Sequence, residues 1–153
     1  MECPFCEDSV IKAVFAESQN FMAVYNLAPV LPGHSIVIPK DHLTSILDLP
    51  DNMLSEMMAF SRKVTMLLLK VFDAEAFDWS VQDKEAAGQT VAHLHMHIVP
   101  RTDGDLKSPG DWYPEIRKSS KEFLDSGRRQ KLSDDELERI VQKLRSEGEK
   151  YEF

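Results

Sequence analysis

Around residue 95 the chain alternates imidazole and hydrocarbon without a break: His93-Leu94-His95-Met96-His97-Ile98, then Val99-Pro100. An extended strand sends successive side chains to opposite faces, so His93, His95 and His97 share one face and Leu94, Met96 and Ile98 share the other. A helix would scatter both sets around its circumference. The segment therefore demands a sheet, with the apolar row buried and a row of imidazoles above it. The sequence holds five histidines and three of them stand here, which makes the row a site rather than an accident of composition. Imidazole serves as nucleophile, acid, base or metal ligand near neutral pH.

Neighbouring segments supply partners for that strand. Residues 14–17 and 21–26 read as strands around a turn at Ser18-Gln19-Asn20, and residues 34–39 and 77–82 as two more. Pro50 opens a helix to about Phe72, since its missing N–H is not needed in a first turn. Leu54, Met57, Met58, Val64, Leu68 and Val71 recur along it at helical steps. A second helix, about 134–147, opens at Ser133, which pairs with Glu136 as a capping box, with Leu132 and Leu137 as staple. Leu137, Ile140, Val141 and Leu144 form its stripe. The pattern is α+β. A length of 153 residues suits one domain, with a motif-bearing core over 1–113 and an extension over 114–153. The charged residues 115–131 read as partly mobile, with 118–129 as solvated surface.

Charge and composition exclude several classes. A net charge of −8 opposes a nucleic-acid partner, whose backbone is bound by Lys and Arg. The apolar runs are too short to span a bilayer. Glu2-Cys3 does not begin a basic-then-apolar leader, so a cytoplasmic setting is expected, in which Cys3 and Cys6 are not a structural disulfide. Cys3-Pro4-Phe5-Cys6 has the spacing for one tetrahedral zinc with two further ligands, a spacing shared with redox pairs and with simple free thiols.

The segment Gly88-Gln89-Thr90-Val91-Ala92-His93-Leu94-His95-Met96-His97-Ile98-Val99-Pro100-Arg101 resembles the signature of the histidine triad (HIT) family, His-x-His-x-His with apolar residues between and after. Asn26-Leu27-Ala28-Pro29-Val30-Leu31-Pro32-Gly33-His34 resembles the family's nucleoside-side loop. Val81-Gln82-Asp83, with Ala87-Gly88-Gln89-Thr90, resembles the fragile-histidine-triad branch, which hydrolyses dinucleoside polyphosphates. Lys84 stands where that branch usually has glycine, and the Cys pair is a feature of other branches.

The resemblance implies a sheet of about five antiparallel strands with two helices, and a homodimer with a continuous sheet. It implies a hydrolase of the bis(5'-adenosyl)-triphosphatase kind, releasing AMP through a nucleotidyl intermediate on His95. His97 would meet the α-phosphate, His93 would buttress the strand and connect to His34, and Gln82 and Thr90 would donate to the bridging oxygen and leaving phosphate. Asn26, Gln89 and Tyr113 complete the substrate-binding set, with an adenine pocket near Phe15 and Phe21. Zinc would be structural, on Cys3, Cys6, His42 and His93; magnesium would accompany the substrate. The related activities of phosphoramidase, phosphorylase or nucleotidyl transferase stay open, as does a nucleotide sensor with little turnover.

Overall fold

The computed structural model describes residues 2–116 and 130–153; residues 118–129, read above as solvated surface, lie outside the described residues. After a 3-10 segment, Asp8–Ala13, come β1 (Val14–Glu17), β2 (Phe21–Tyr25) and β3 (Ser35–Pro39). Helix α1 (Asp51–Val71), β4 (Ala76–Val81), β5 (Met96–Arg101) and α2 (Asp134–Gly148) follow. The five strands form one antiparallel sheet in the order β1-β2-β3-β5-β4, as expected.

Helix α1 lies where the apolar periodicity put it and buries Met57, Phe60, Val64, Leu67 and Leu68. Each such side chain contributes roughly 1.5–3 kcal/mol of burial free energy. It covers the sheet face that carries Tyr25 and Trp79, for Tyr25 stacks on Phe72 just beyond α1 and Trp79 donates to Thr65 Oγ1 at 2.9 Å. The register places Ile98 on this same face beside Trp79 and sets His97 and Ser80 opposite each other on the other face. At the start of α2 both halves of the capping box form: Glu136 N–H donates to Ser133 Oγ at 3.2 Å, and Ser133 N–H donates to Glu136 Oε2 at 2.9 Å.

The histidine segment departs from expectation in one respect. Strand β5 begins at Met96, so His93 and His95 precede the ladder. The β3–β5 pairing ends at Val37↔Met96. Further along β3, Pro39 has no N–H to offer a ladder. Its carbonyl instead accepts from His93 Nε2 at 2.9 Å, and Leu94 N–H turns to the Leu43 carbonyl at 2.6 Å. Leaving the ladder lets the three histidines face different partners.

Candidate active site and metal centre

His34 enters the site from the β2–β3 loop. That loop docks closely because Gly33 sits at φ +90, where a Cβ would come within 2.7 Å of Pro100 and 3.0 Å of Phe72. Val30 N–H donates to His34 Nδ1 at 3.1 Å, so a neutral His34 carries its proton on Nε2. Nε2 lies 2.9 Å from His97 Nδ1, which must then accept, leaving the proton of His97 on Nε2. His34 is thus joined to His97. The connection from His93 to His34 expected above is not what the geometry shows, because His93 turns the other way.

His95 Nδ1 lies 2.8 Å from the His93 carbonyl, which can only accept, so Nδ1 holds the proton and Nε2 keeps its lone pair. Burial lowers the affinity of both His93 and His95 for a second proton, and their bonds to carbonyls offset it only in part. Both are neutral near pH 7. His95 and His97 meet edge-to-face at 5.2 Å. The arrangement offers a neutral imidazole with an unprotonated nitrogen beside a second imidazole with a donor nitrogen, the requirements for nucleophilic attack on an anionic phosphorus centre.

His93 has the opposite tautomer. Its Nε2–H goes to Pro39, and Nδ1 lies 3.4 Å from Cys3 Sγ and 3.5 Å from Cys6 Sγ. His42 Nδ1 lies 3.2 Å from Cys6 Sγ. The four ligand atoms fall within 4.8 Å of one another. Tetrahedral zinc, with bonds of about 2.3 Å to sulfur and 2.0–2.1 Å to nitrogen, sets sulfur–nitrogen edges of about 3.6 Å. The group therefore fits a metal of that size and taste, and the Pro39 carbonyl fixes the tautomer that a ligand histidine needs.

The remaining expected residues divide. Gln82 follows β4 and donates to Ser80 Oγ, beside His97. A Cβ on Gly88 would lie 3.9 Å from Gln82 Cγ and 4.0 Å from Tyr113 Oη, so Gln82 and Tyr113 converge over the same loop. Thr90 is exposed between that loop and the histidines. Asn26 Oδ1 accepts from Ala28 N–H at 2.9 Å, and its Nδ2 lies 3.5 Å from His34 Nε2.

Gln89 bridges three main-chain groups. Its Oε1 accepts from Lys84 N–H at 2.6 Å, while its Nε2 donates to the Thr44 carbonyl at 3.0 Å and reaches the His93 carbonyl at 3.5 Å. These bonds hold the loop between Lys84 and the histidine segment. Phe15 and Phe21, near which an adenine pocket was expected, are both buried in the core.

Sequence reasoning missed Phe5, Pro39, Ser80 and Asp83. Asp83 accepts from Ser45 Oγ at 3.0 Å and Ile46 N–H at 2.9 Å, tying the loop that follows His42 to the end of β4. Two of them carried a signal: Phe5 as the aromatic between the two cysteines, and Asp83 as the last residue of the Val81-Gln82-Asp83 motif.

A model of the HIT domain matches residues 8–104. The chain belongs to the HIT family. The bis(5'-nucleosyl)-tetraphosphatase (asymmetrical) of Schizosaccharomyces pombe is 37% identical to this HIT protein over 115 residues, 75% of this chain; the chain spans 63% of that relative's length. A bifunctional bis(5'-adenosyl)-triphosphatase/adenylylsulfatase of Arabidopsis thaliana is 30% identical over 140 residues, covering 92% of this chain and 76% of the relative. Among solved structures, a zinc-bound histidine triad family protein from Mycobacterium smegmatis superposes with a TM-score of 0.64 at 27% identity, over 95% of this chain and 97% of that one. Among the described residues, no helix is long and apolar enough to cross a membrane.

Proposed function

We propose that this HIT protein, one domain over residues 1–153, hydrolyses dinucleoside polyphosphates such as diadenosine tri- or tetraphosphate at an α-phosphate, releasing AMP. The observation that carries the reading is the bond from His95 Nδ1 to the His93 carbonyl, which leaves the Nε2 lone pair for phosphorus. The two relatives above, hydrolases of such substrates by name, support it. In the first displacement Nε2 of His95 bonds to the α-phosphorus, and the bridging P–O bond breaks with its electron pair leaving on the departing nucleotide. Water then attacks the phosphorus, the P–N bond returns its pair to His95, and the water proton is released. Splitting one difficult step in two is the gain of a covalent intermediate.

His97 Nε2–H stabilises charge on the α-phosphate oxygens, and His34 keeps His97 in that tautomer. Gln82 and Thr90 donate to the bridging oxygen and leaving phosphate; losing one such donor costs about 3 kcal/mol, roughly a hundredfold in rate. Asn26 takes the ribose and Tyr113 approaches the distal nucleotide. Magnesium enters as the counter-ion of the polyphosphate.

Zinc, on Cys3, Cys6, His42 and His93, is structural: when bound it ties the amino terminus to the histidine segment and supplies no bond-breaking chemistry. The fit of the four donors supports it. The chain forms a homodimer through β4, one of the sheet's two edge strands, where Phe77 is 46% exposed. The setting is the cytoplasm, in keeping with two free thiols.

The test is rapid quenching with α-labelled diadenosine tetraphosphate, with product identification. Label is expected on His95 and AMP among the products. Label on another residue would overturn the mechanism. ADP formed only with added phosphate would assign a phosphorylase, faster cleavage of an adenosine phosphoramidate a phosphoramidase, and binding without turnover a sensor.

A further inference from the structure

In the knuckle formed by Cys3-Pro4-Phe5-Cys6, Phe5 reaches both halves of the candidate site. It sits between Cys3 and Cys6, is half-buried, and packs against the core. Its ring meets His93 edge-to-face at 5.7 Å and 78°, and His95 edge-to-face at 5.4 Å and 73°. One side chain thus touches a candidate metal ligand and the candidate nucleophile.

His95 needs such a contact. The bond from its Nδ1 to the His93 carbonyl fixes the tautomer but only one point of the ring. An imidazole held at one atom can still swing about that bond, and attack on phosphorus requires the opposite nitrogen to stay in line. The edge-to-face contacts from Phe5 and His97 restrict that swing. His97 is anchored by His34. The backbone of Phe5 is anchored by the Cys6 N–H bond to the Cys3 carbonyl at 3.0 Å and by whatever holds the two sulfurs together.

We propose that Phe5 is a positioning residue for His95, and that the state of the Cys3/Cys6 knuckle, closed on a metal or released, sets the rate of turnover through that ring. The inference rests on the hydrolase reading above. When the knuckle is closed, the ring stays against His95. When it opens, the ring leaves and His95 swings, while the nucleotide-binding residues keep their places.

The test compares wild type with Phe5→Ala, Phe5→Leu, Phe5→Tyr, the Cys3→Ser/Cys6→Ser pair, and the combination of that pair with Phe5→Ala. Four quantities are read: kcat and KM for diadenosine tetraphosphate, zinc content, thermal midpoint, and the ¹⁵N signals of the His95 ring without substrate. Phe5→Ala is expected to lower kcat about tenfold with KM within twofold and zinc retained, and to broaden the His95 signals. Phe5→Tyr, which keeps the ring, restores kcat. The cysteine pair loses zinc and lowers kcat by a similar factor, and adding Phe5→Ala to it costs nothing more, since both act through one contact.

Equal kcat in Phe5→Ala and wild type, or losses that multiply in the combination, would overturn the proposal. So would a kcat loss in Phe5→Ala that simply follows lost zinc. Should Phe5→Ala fail to fold, Phe5→Leu, which fills the volume without a ring, carries the same expectations. Absence of hydrolysis by wild type would sink the hydrolase reading instead, and the ring signals of His95 would still decide whether Phe5 orders it.

Discussion

His93 and His95 stand two residues apart and have been given opposite chemistry. Each donates one ring proton to a backbone carbonyl, but through different nitrogens: Nε2 of His93 to Pro39, Nδ1 of His95 to His93. The nitrogen left over defines the role. On His93 it is Nδ1, close to two sulfurs; on His95 it is Nε2, on a ring that meets His97, itself bonded to His34, in the candidate catalytic half. Two clusters made largely of one residue type are kept apart by which carbonyl each ring finds. Tautomer, not residue identity, divides the candidate metal half from the candidate catalytic half.

The comparison breaks most sharply at His95. His95→Ala is expected to reduce turnover of diadenosine tetraphosphate by roughly a thousandfold or more, as loss of a nucleophile does. AMP binding and zinc content should stay near wild type, because the metal half does not use this ring. Steady-state kinetics beside metal analysis checks both; an equal loss of metal would mean that the halves are not separate. The reverse experiment is Cys3→Ser with Cys6→Ser. It should remove the metal and lower stability by several kcal/mol, since metal-binding free energy is folding free energy. Thermal melts with and without a chelator should differ in wild type and coincide in the variant.

His34 tests the logic of tautomers within the catalytic half. His34→Leu leaves His97 Nδ1 without its donor and frees the His97 proton to settle on either nitrogen. A loss of about a hundredfold in kcat is expected, with metal content unchanged. His34→Gln, whose amide can donate to the same nitrogen, should recover part of it. A Leu variant as active as wild type would show that the tautomer of His97 does not matter.

Much of this was readable from the sequence, for identifiable reasons. Strict alternation forces a sheet, and Ile98 and His97 do lie on opposite faces. The periodicity of α1 and the capping box of α2 are local signals and were found within a residue. Four dispersed residues, Cys3, Cys6, His42 and His93, converge as the family resemblance implied. What could not be read is backbone: the Pro39 carbonyl that turns His93 away, the Val30 N–H that sets His34, and the point where the ladder ends and the strand with it. A main-chain group is the same in every residue, so its position carries no letter in the sequence. The loop role of Gln89 was hidden for the same reason, since all three of its partners are main-chain groups.

The far end of β5 gives a control that neither half should feel. Arg101 is bonded to both oxygens of Asp105, Nε to Oδ2 at 2.8 Å and Nη2 to Oδ1 at 2.7 Å, and to Asp78 at 2.9 Å. The hydrogen bond from Arg101 holds the Asp105 carboxyl below the usual carboxylate range despite burial. A depressed carboxylate stabilises the fold above its unfolded pKa, about 3.9, and loses that contribution as pH falls through its folded value. Asp105→Asn should therefore cost about 1–2 kcal/mol at pH 7, and the difference from wild type should be flat above about pH 5 and shrink below about pH 4. Denaturant melts across pH check it, with zinc content and kcat unchanged.

The smallest effect concerns the carbonyl that the two halves share. Gln89 reaches the His93 carbonyl from a loop whose first residue, Lys84, lies at φ 70 and ψ 163, a conformation open in practice only to glycine. The strain persists because Lys84 is over-determined: its N–H donates to Gln89 Oε1 and its carbonyl accepts from Ala87 and Gln89 N–H at 3.0 and 3.2 Å. It is also the position where the related branch usually carries glycine. Such strain costs about 1–3 kcal/mol, and glycine gives back about 0.5–1 kcal/mol of it through the entropy of the unfolded chain. Lys84→Gly should thus stabilise the fold by roughly 1 kcal/mol, a rise of about 2–4 °C in Tm. Because Gln89 keeps its bonds, the ¹⁵N signals of both His93 and His95 should stay where they are. A shift of both rings together would mean that the strained loop, through the one carbonyl they have in common, helps set the division between them.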